Sequence, residues 1–271
     1  MAGKIGTFRV PGQIIFGVGA AETVGMEAKR LGATHAFVAS DPNLHKLGAT
    51  DRILAALTAQ GVRSTVYTEI EFEPSVQSVA PAAAVAKTVG CDLVIGLGGG
   101  STLDTAKAVA VLTRNAGQAE DYLGIGLVKQ RGVPSILMPT TSGTGAEITP
   151  NALFYVPAAR EKKAIVSPHI IPDVALVDPL LTVTAPPGVT AATGLDALSH
   201  AVESYTSMNA SPLTDLYGLE AVRLIGAHLR TAVANGSDLA AREGMALASL
   251  YAGIGIGNAG TLGSDGGDGH M

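Results

Sequence analysis

Two rhythms of apolar and polar positions alternate along the first two thirds of the chain. Short apolar runs bounded by turn residues predict strands at 35–39, 62–67, 91–97 and 135–139. Longer mixed stretches at 20–31, 47–60, 76–89 and 101–112 predict helices. Phe8, Val10, Ile14, Ile15 and Phe16 predict one or two edge strands around Pro11-Gly12, and Ser40, Asp41, Pro42 and Asn43 predict a turn. Strands alternating with helices imply a doubly wound α/β layer. Beyond Leu181 the strand signal stops, and residues 189–207, 212–234 and 238–254 read as three helices. The expected division is an α/β domain at 1–181, a partial all-helical domain at 182–262, and a glycine-rich, disordered or artificial tail at 263–271.

Composition narrows the classes of function. The chain has 271 residues, enough for one large domain or two modest ones. A net charge of −5 removes the electrostatic case for nucleic acid or an anionic membrane surface. No stretch approaches the roughly 20 apolar residues of a membrane span, and residues 1–20 lack a signal-peptide pattern. The single cysteine, Cys91, excludes an internal disulfide and fits a reducing compartment. A cytoplasmic location is expected.

Three stretches carry candidate chemistry. The first is LGGGSTLDTAK at 97–107, where an apolar strand enters Gly98, Gly99 and Gly100 and a helix follows. Such a junction aims free backbone N–H groups at a phosphate, and glycine permits close approach. Ser101 adds a hydroxyl donor. Asp104 is expected in the first helical turn, where a carboxylate also complements the helix dipole. A glycine triplet alone reads equally as a tight turn. The second stretch, Thr140 to Gly145, puts hydroxyls of Thr140, Thr141 and Thr144 at the end of a strand. It suits hydrogen bonds to a diphosphate or ribose, and reads as well as a plain polar loop. The third holds Asp196 and His200, four apart on one helical face, so that a carboxylate and an imidazole can share a divalent cation. The same spacing also describes a surface hydrogen-bonded pair, and two ligands are too few for a complete site. Asp41, just past an early strand, can accept from adenosine ribose hydroxyls or simply form the turn before Pro42. Lys162 and Lys163 precede the apolar Ala164, Ile165 and Val166.

Taken together, GGGSTLDTAKAVA at 98–110, PTTSGTGAEIT at 139–149, IPDVALVDPLLT at 171–182 and TGLDALSHAVESYTS at 193–207 resemble the iron-containing (group III) alcohol dehydrogenase family. The resemblance implies a Rossmann-like N-terminal domain followed by an all-helical one, the dehydroquinate synthase-like arrangement. It implies NAD as cofactor, Fe²⁺ or Zn²⁺ as catalytic metal, and metal-assisted hydride transfer between an alcohol and its aldehyde or ketone. By motif position Gly98, Gly99, Gly100 and Ser101 would hold the diphosphate with Asp104 close by. Thr140, Thr141 and Thr144 would line the cofactor, and Asp41 would face the adenosine ribose. Lys162 and Leu181 are implied as nicotinamide-side contacts, and Asp196 and His200 as catalytic metal ligands. A homo-oligomer, a dimer, is expected.

The resemblance also marks a departure. Family members continue past the segment Asn258-Ala259-Gly260 with helices that supply two further histidine ligands, so the chain reads as a C-terminally truncated member. Leu216, Leu219, Val222, Leu224, Ile225, Met245, Leu247, Leu250 and Ile254 are then expected to lose their packing partners. An NAD(H)-binding remnant without turnover is one alternative. A maleylacetate reductase-like enzyme is the other, although having both Asp196 and His200 points to the metal-dependent branch.

Overall fold

In the computed structural model, which describes residues 6–260, nine strands and eight α-helices are found among the described residues. The strands are β1 (Gln13–Phe16), β2 (His35–Ser40), β3 (Arg63–Tyr67), β4 (Leu93–Gly98), β5 (Gly124–Ile125), β6 (Ser135–Pro139), β7 (Asn151–Val156), β8 (Glu161–Val166) and β9 (Val174–Val177). The helices are α1 (Val24–Arg30), α2 (Pro42–Lys46), α3 (Ala49–Ala59), α4 (Val79–Thr88), α5 (Gly100–Leu112), α6 (Pro187–Thr206), α7 (Pro212–Ala234) and α8 (Leu239–Ala259). The Rossmann-like sheet and the helical C-terminal part match the fold class implied by the sequence. The expected tail at 263–271 lies outside the described residues.

Six strands form a parallel sheet in the order β1-β9-β6-β4-β2-β3. From β2 the chain moves outward to edge strand β3, then crosses back to β4 on the other side of β2. The winding direction reverses there, so a crevice opens at the carboxyl ends of β2 and β4. Successive side chains explain why these strands read as unbroken apolar runs. Phe37 and Ala39 face the α4–α5 layer, while Ala36 and Val38 face the α1–α3 layer. Val94 and Leu137 belong to the first side, and Leu93, Ile95, Leu97, Ile136 and Met138 to the second. Both faces are covered, so no polar alternation survives.

A small second sheet, β5-β8-β7, joins antiparallel β7 and β8 and lies against α5. Its strands were not foreseen as a unit. Helices α6, α7 and α8 pack through small residues, including Ala197, Ala201, Ala221, Ala248 and Ala252. They meet the parallel sheet where Ile148, Ala175 and Val177 pack on Ala246, Leu250 and Ile254.

The structure corrects several local expectations. The turn expected at 40–43 opens helix α2, because the Asp41 carboxylate caps it and Pro42 suits the first helical position. Helices expected from residues 20 and 76 begin instead as 3-10 turns, Ala20–Thr23 and Val76–Ser78. The expected loss of packing is confined to one face. Leu224, Ile225, Met245, Leu250 and Ile254 are buried, while Leu216 is 65%, Leu219 54% and Val222 38% exposed.

Candidate functional site

The glycine turn sits where the crevice requires it. Gly98 ends β4, Gly99 precedes α5, and no side chain caps that end of the helix. The first-turn N–H groups are therefore available to an anion. None of the three glycines has a positive φ, so conformational freedom does not explain them. Space does, for two of them. A Cβ at Gly98 would lie 2.5 Å from Thr102 Oγ1, and one at Gly100 would lie 2.8 Å from Thr144 Cγ2. At Gly99 the nearest atom is Thr141 Oγ1 at 3.5 Å, an ordinary contact. The fold demands its neighbours; Gly99 alone keeps surface open above the helix end.

The Thr140–Gly145 loop is held by both layers. Thr140 N–H donates to the Gly98 carbonyl at 3.0 Å, so the two loops share a hydrogen bond. A Cβ at Gly143 would meet Thr193 of α6 at 2.7 Å, and Gly145, with φ +62°, lies against Gly253 of α8. Thr144 Oγ1 accepts from Ala146 N–H at 3.2 Å. The loop thus fixes the helical layer over the crevice.

Between the layers lies a cavity of about 420 Å³. Gly100, Ser101, Asp104 and Thr144 line it from the glycine-turn side, Leu153, Tyr155 and Lys162 from the small sheet, and Asp196 and His200 from α6. Asp196 Oδ1 stands 3.7 Å from His200 Nε2. That separation fits two positions of one divalent cation, whose N and O ligands each lie about 2.0–2.2 Å from the metal. His200 Nδ1 is buried without a hydrogen-bond partner. Among the described residues no group of three or more His, Cys, Asp or Glu can hold a metal. The donor set fits half a site.

Sequence reasoning missed a group of buried charges beneath this cavity. Asp104 lies past the first turn of α5, not within it as expected, and no acidic residue occupies that turn. Its Oδ2 accepts from Leu153 N–H at 3.0 Å, and its Oδ1 stands 3.4 Å from Lys107 Nζ. Lys107, 1% exposed, also donates to the Asn151 carbonyl and to Thr149 Oγ1. The pair ties α5 to β7 and so fixes one cavity wall. Burial pushes the Asp104 carboxyl up and the Lys107 ammonium down, each opposed by its partner's charge. Burial also raises Glu147 to about 7, while Lys107 pulls it down. The signal available in the sequence was a lysine in Thr105–Leu112, a stretch with no polar face to hold it.

Of the other expected contacts, Asp41 and Leu181 stand apart, whereas Lys162 and Ser101 line the cavity and are already paired. Asp41 Oδ1 accepts from Asn43 N–H at 2.7 Å and Leu44 N–H at 3.2 Å, so the cap already engages it. It remains at the carboxyl end of β2, at the crevice but outside the cavity lining. Leu181 packs on the core between the sheet and α1–α3 and does not line the cavity. Lys162 Nζ donates to Glu73 Oε1 at 2.9 Å across the mouth. Ser101 Oγ donates to the Phe72 carbonyl.

The doubly wound sheet, the uncapped glycine turn and the helical layer over one cavity define a Rossmann-like α/β domain joined to an all-helical part. Residues 11–179 match the family model described as iron-containing alcohol dehydrogenase, and residues 190–264 match the C-terminal model of the same family. A sulfoacetaldehyde reductase of Bilophila wadsworthia is 44% identical over 91% of this chain and 64% of its own. Long-chain-alcohol dehydrogenase 1 of Geobacillus thermodenitrificans is 46% identical over 91% of this chain and 63% of its own. The crystal structure of a Bifidobacterium kashiwanohense sulfoacetaldehyde reductase in complex with NAD⁺ superposes with a TM-score of 0.89 at 33% identity, covering 96% of this chain and 69% of that one. The chain belongs to the iron-containing alcohol dehydrogenase family. It spans about 64% of the length of these curated relatives.

Proposed function

We propose that the chain carries the cofactor half and part of the metal half of an NAD-dependent oxidoreductase that interconverts an alcohol and its aldehyde or ketone. One observation carries this reading: a single cavity joins the α5 N-terminus to Asp196 and His200. The free first-turn N–H groups of the helix end, that of Ser101 included, bind the diphosphate, while the Ser101 hydroxyl stays on the Phe72 carbonyl. Gly99 leaves the backbone approachable, and Thr140, Thr141 and Thr144 line the path of the dinucleotide. Asp41, at the next strand end, accepts from the adenosine ribose and repels a 2′-phosphate, favouring NAD. Lys162 borders the nicotinamide side. Asp196 and His200 present the two donors that would hold Fe²⁺ or Zn²⁺. When bound, the dinucleotide supplies the hydride acceptor or donor, and the metal supplies Lewis acidity at the substrate oxygen. The family's iron-containing description, and NAD⁺ in the related reductase complex, support this choice of groups.

Calorimetric titration with NADH, followed by NAD-linked oxidation of short alcohols with and without added Fe²⁺ or Zn²⁺, tests the proposal. Saturable NADH binding and metal-stimulated turnover are expected. No NADH binding sinks it. A second reading, an NAD(H)-binding chain without turnover, is favoured by the absence of a third donor among the described residues. NADH binding with no turnover at any metal concentration would decide for that reading.

A further inference from the structure

The strap at 68–75, between β3 and the 3-10 turn Val76–Ser78, passes the N-terminus of α5 and is pinned to both α5 and β7. Ser101 Oγ donates to the Phe72 carbonyl, and Tyr155 N–H donates to the Pro74 carbonyl at 2.9 Å. Ser75 N–H donates to Glu71 Oε2 at 2.9 Å, and Glu73 pairs with Lys162 at 2.9 Å. The backbone around Phe72 is therefore fixed. Yet Phe72 is 89% exposed while lining the cavity. Among the described residues its ring makes no aromatic contact. Glu69, Glu71 and Glu73 flank it, and Lys162 pairs with one of the three. An aromatic face among carboxylates attracts a flat cation.

We propose that Phe72 is a binding residue for the nicotinamide end of the dinucleotide, with the acidic strap favouring the oxidised, cationic ring. The proposal rests on the cofactor reading above. The direction along the ligand follows from the layout. Asp41 lies at the end of β2, outside the cavity, and the uncapped end of α5 borders the cavity itself. Phe72 shares that cavity with Lys162, Asp196 and His200. Hydride exchange with a substrate held near Asp196 and His200 places the nicotinamide in that cavity and the adenosine outside it. A ring tethered by a fixed backbone loses little freedom when it stacks, since only its side-chain torsions are ordered.

Titration of wild type, Phe72→Ala and Phe72→Tyr with NAD⁺, NADH and ADP-ribose tests this. Phe72→Ala is expected to weaken NAD⁺ about fivefold and NADH less, the range of an exposed cation–π contact. ADP-ribose, which lacks the nicotinamide, is expected to bind unchanged, and Phe72→Tyr to behave as wild type. Equal losses for all three ligands would mean that Phe72 only shapes the strap and would overturn the proposal. Unchanged NAD⁺ affinity in Phe72→Ala would overturn it as well. If wild type binds none of the three, the cofactor reading itself fails and the proposal falls with it; ADP-ribose binding separates the two failures.

Discussion

Lys107 Nζ lies 3.4 Å from Asp104 Oδ1, one turn apart on α5, with the lysine side chain wholly removed from solvent. The same ammonium reaches the Asn151 carbonyl, and the same carboxylate takes Leu153 N–H. One ion pair therefore joins the helix that presents the glycine turn to the strand that walls the cavity.

Removing one partner leaves the other charge buried and unbalanced, which costs about 3–5 kcal/mol. Lys107→Met is expected to lose stability of that order in urea unfolding. The double variant Lys107→Met/Asp104→Asn is expected to recover part of the loss, since no lone charge remains. A loss below about 1 kcal/mol in the single variant would show that water reaches the pair.

Glu147 supplies a stability term that depends on pH. Burial raises its folded-state value from 4.5 to about 7. Between those two values the folded chain binds more protons than the unfolded one, so the term favours folding at low pH and is lost as pH rises through about 7. The bound on its size is about 3.5 kcal/mol, at 1.4 kcal/mol per unit. Thermal unfolding of wild type and Glu147→Gln from pH 5 to 8.5 is the check. Glu147→Gln is expected to gain on wild type as pH rises from 5 to about 7, to keep a constant advantage above that, and to lack the downward slope. Parallel curves for the two would sink the assignment.

How far the sequence could be read follows from what each residue packs against. Strands β2, β4 and β6 were legible because both faces are covered and the apolar runs are continuous. The β7–β8 pair was not. Its outer positions Leu153 and Tyr155 are exposed, and β8 starts with three exposed charged residues, so the pattern resembles a loop. The glycine turn and the Thr140–Gly145 loop were legible from residue type. The reason for their glycines was not, because Thr102, Thr144, Thr193 and Gly253 press on them from other elements. Lys107 and Glu147 stayed hidden because a charged residue reads as solvated until its neighbours are known. Phe72 carries no signal in the sequence, because its place at the cavity is set by Ser101 and Lys162, which anchor its segment from other elements.

Two of the three glycines make separable predictions. Gly100→Ala places a methyl 2.8 Å from Thr144 Cγ2, and overpacking of that kind costs about 1–3 kcal/mol. Gly99→Ala meets nothing closer than 3.5 Å, and its φ of −76° suits alanine. It is expected to leave the melting temperature unchanged while weakening NADH at least tenfold, on the order of 1.4 kcal/mol. Wild-type NADH affinity in Gly99→Ala would remove the helix end from the diphosphate site.

Metal retention follows from donor number. Asp196 and His200 provide two positions, and catalytic sites of this type use three protein ligands. Fe²⁺ or Zn²⁺ added to this chain is expected to be lost on gel filtration, as read by elemental analysis of the protein peak. Asp196→Ala is expected to abolish any residual binding seen by calorimetry. One metal retained per chain would require further donors beyond the described residues.

The outer face of α6 and α7 makes the last prediction. Leu195, Val202 and Tyr205 on α6, and Leu213, Leu216 and Leu219 on α7, are all at least 45% exposed. Six large apolar side chains this exposed on two packed helices point to an interaction face. The purified chain is expected to bind 8-anilinonaphthalene-1-sulfonate and to self-associate in sedimentation velocity. The double variant Leu216→Glu/Leu219→Glu removes apolar surface without emptying a core. Its unfolding free energy is expected to stay within about 0.5 kcal/mol of wild type for each site. Dye binding and association should both fall. A large loss of stability would show that these leucines are packed in solution. Unchanged association would place the contact between copies on another face.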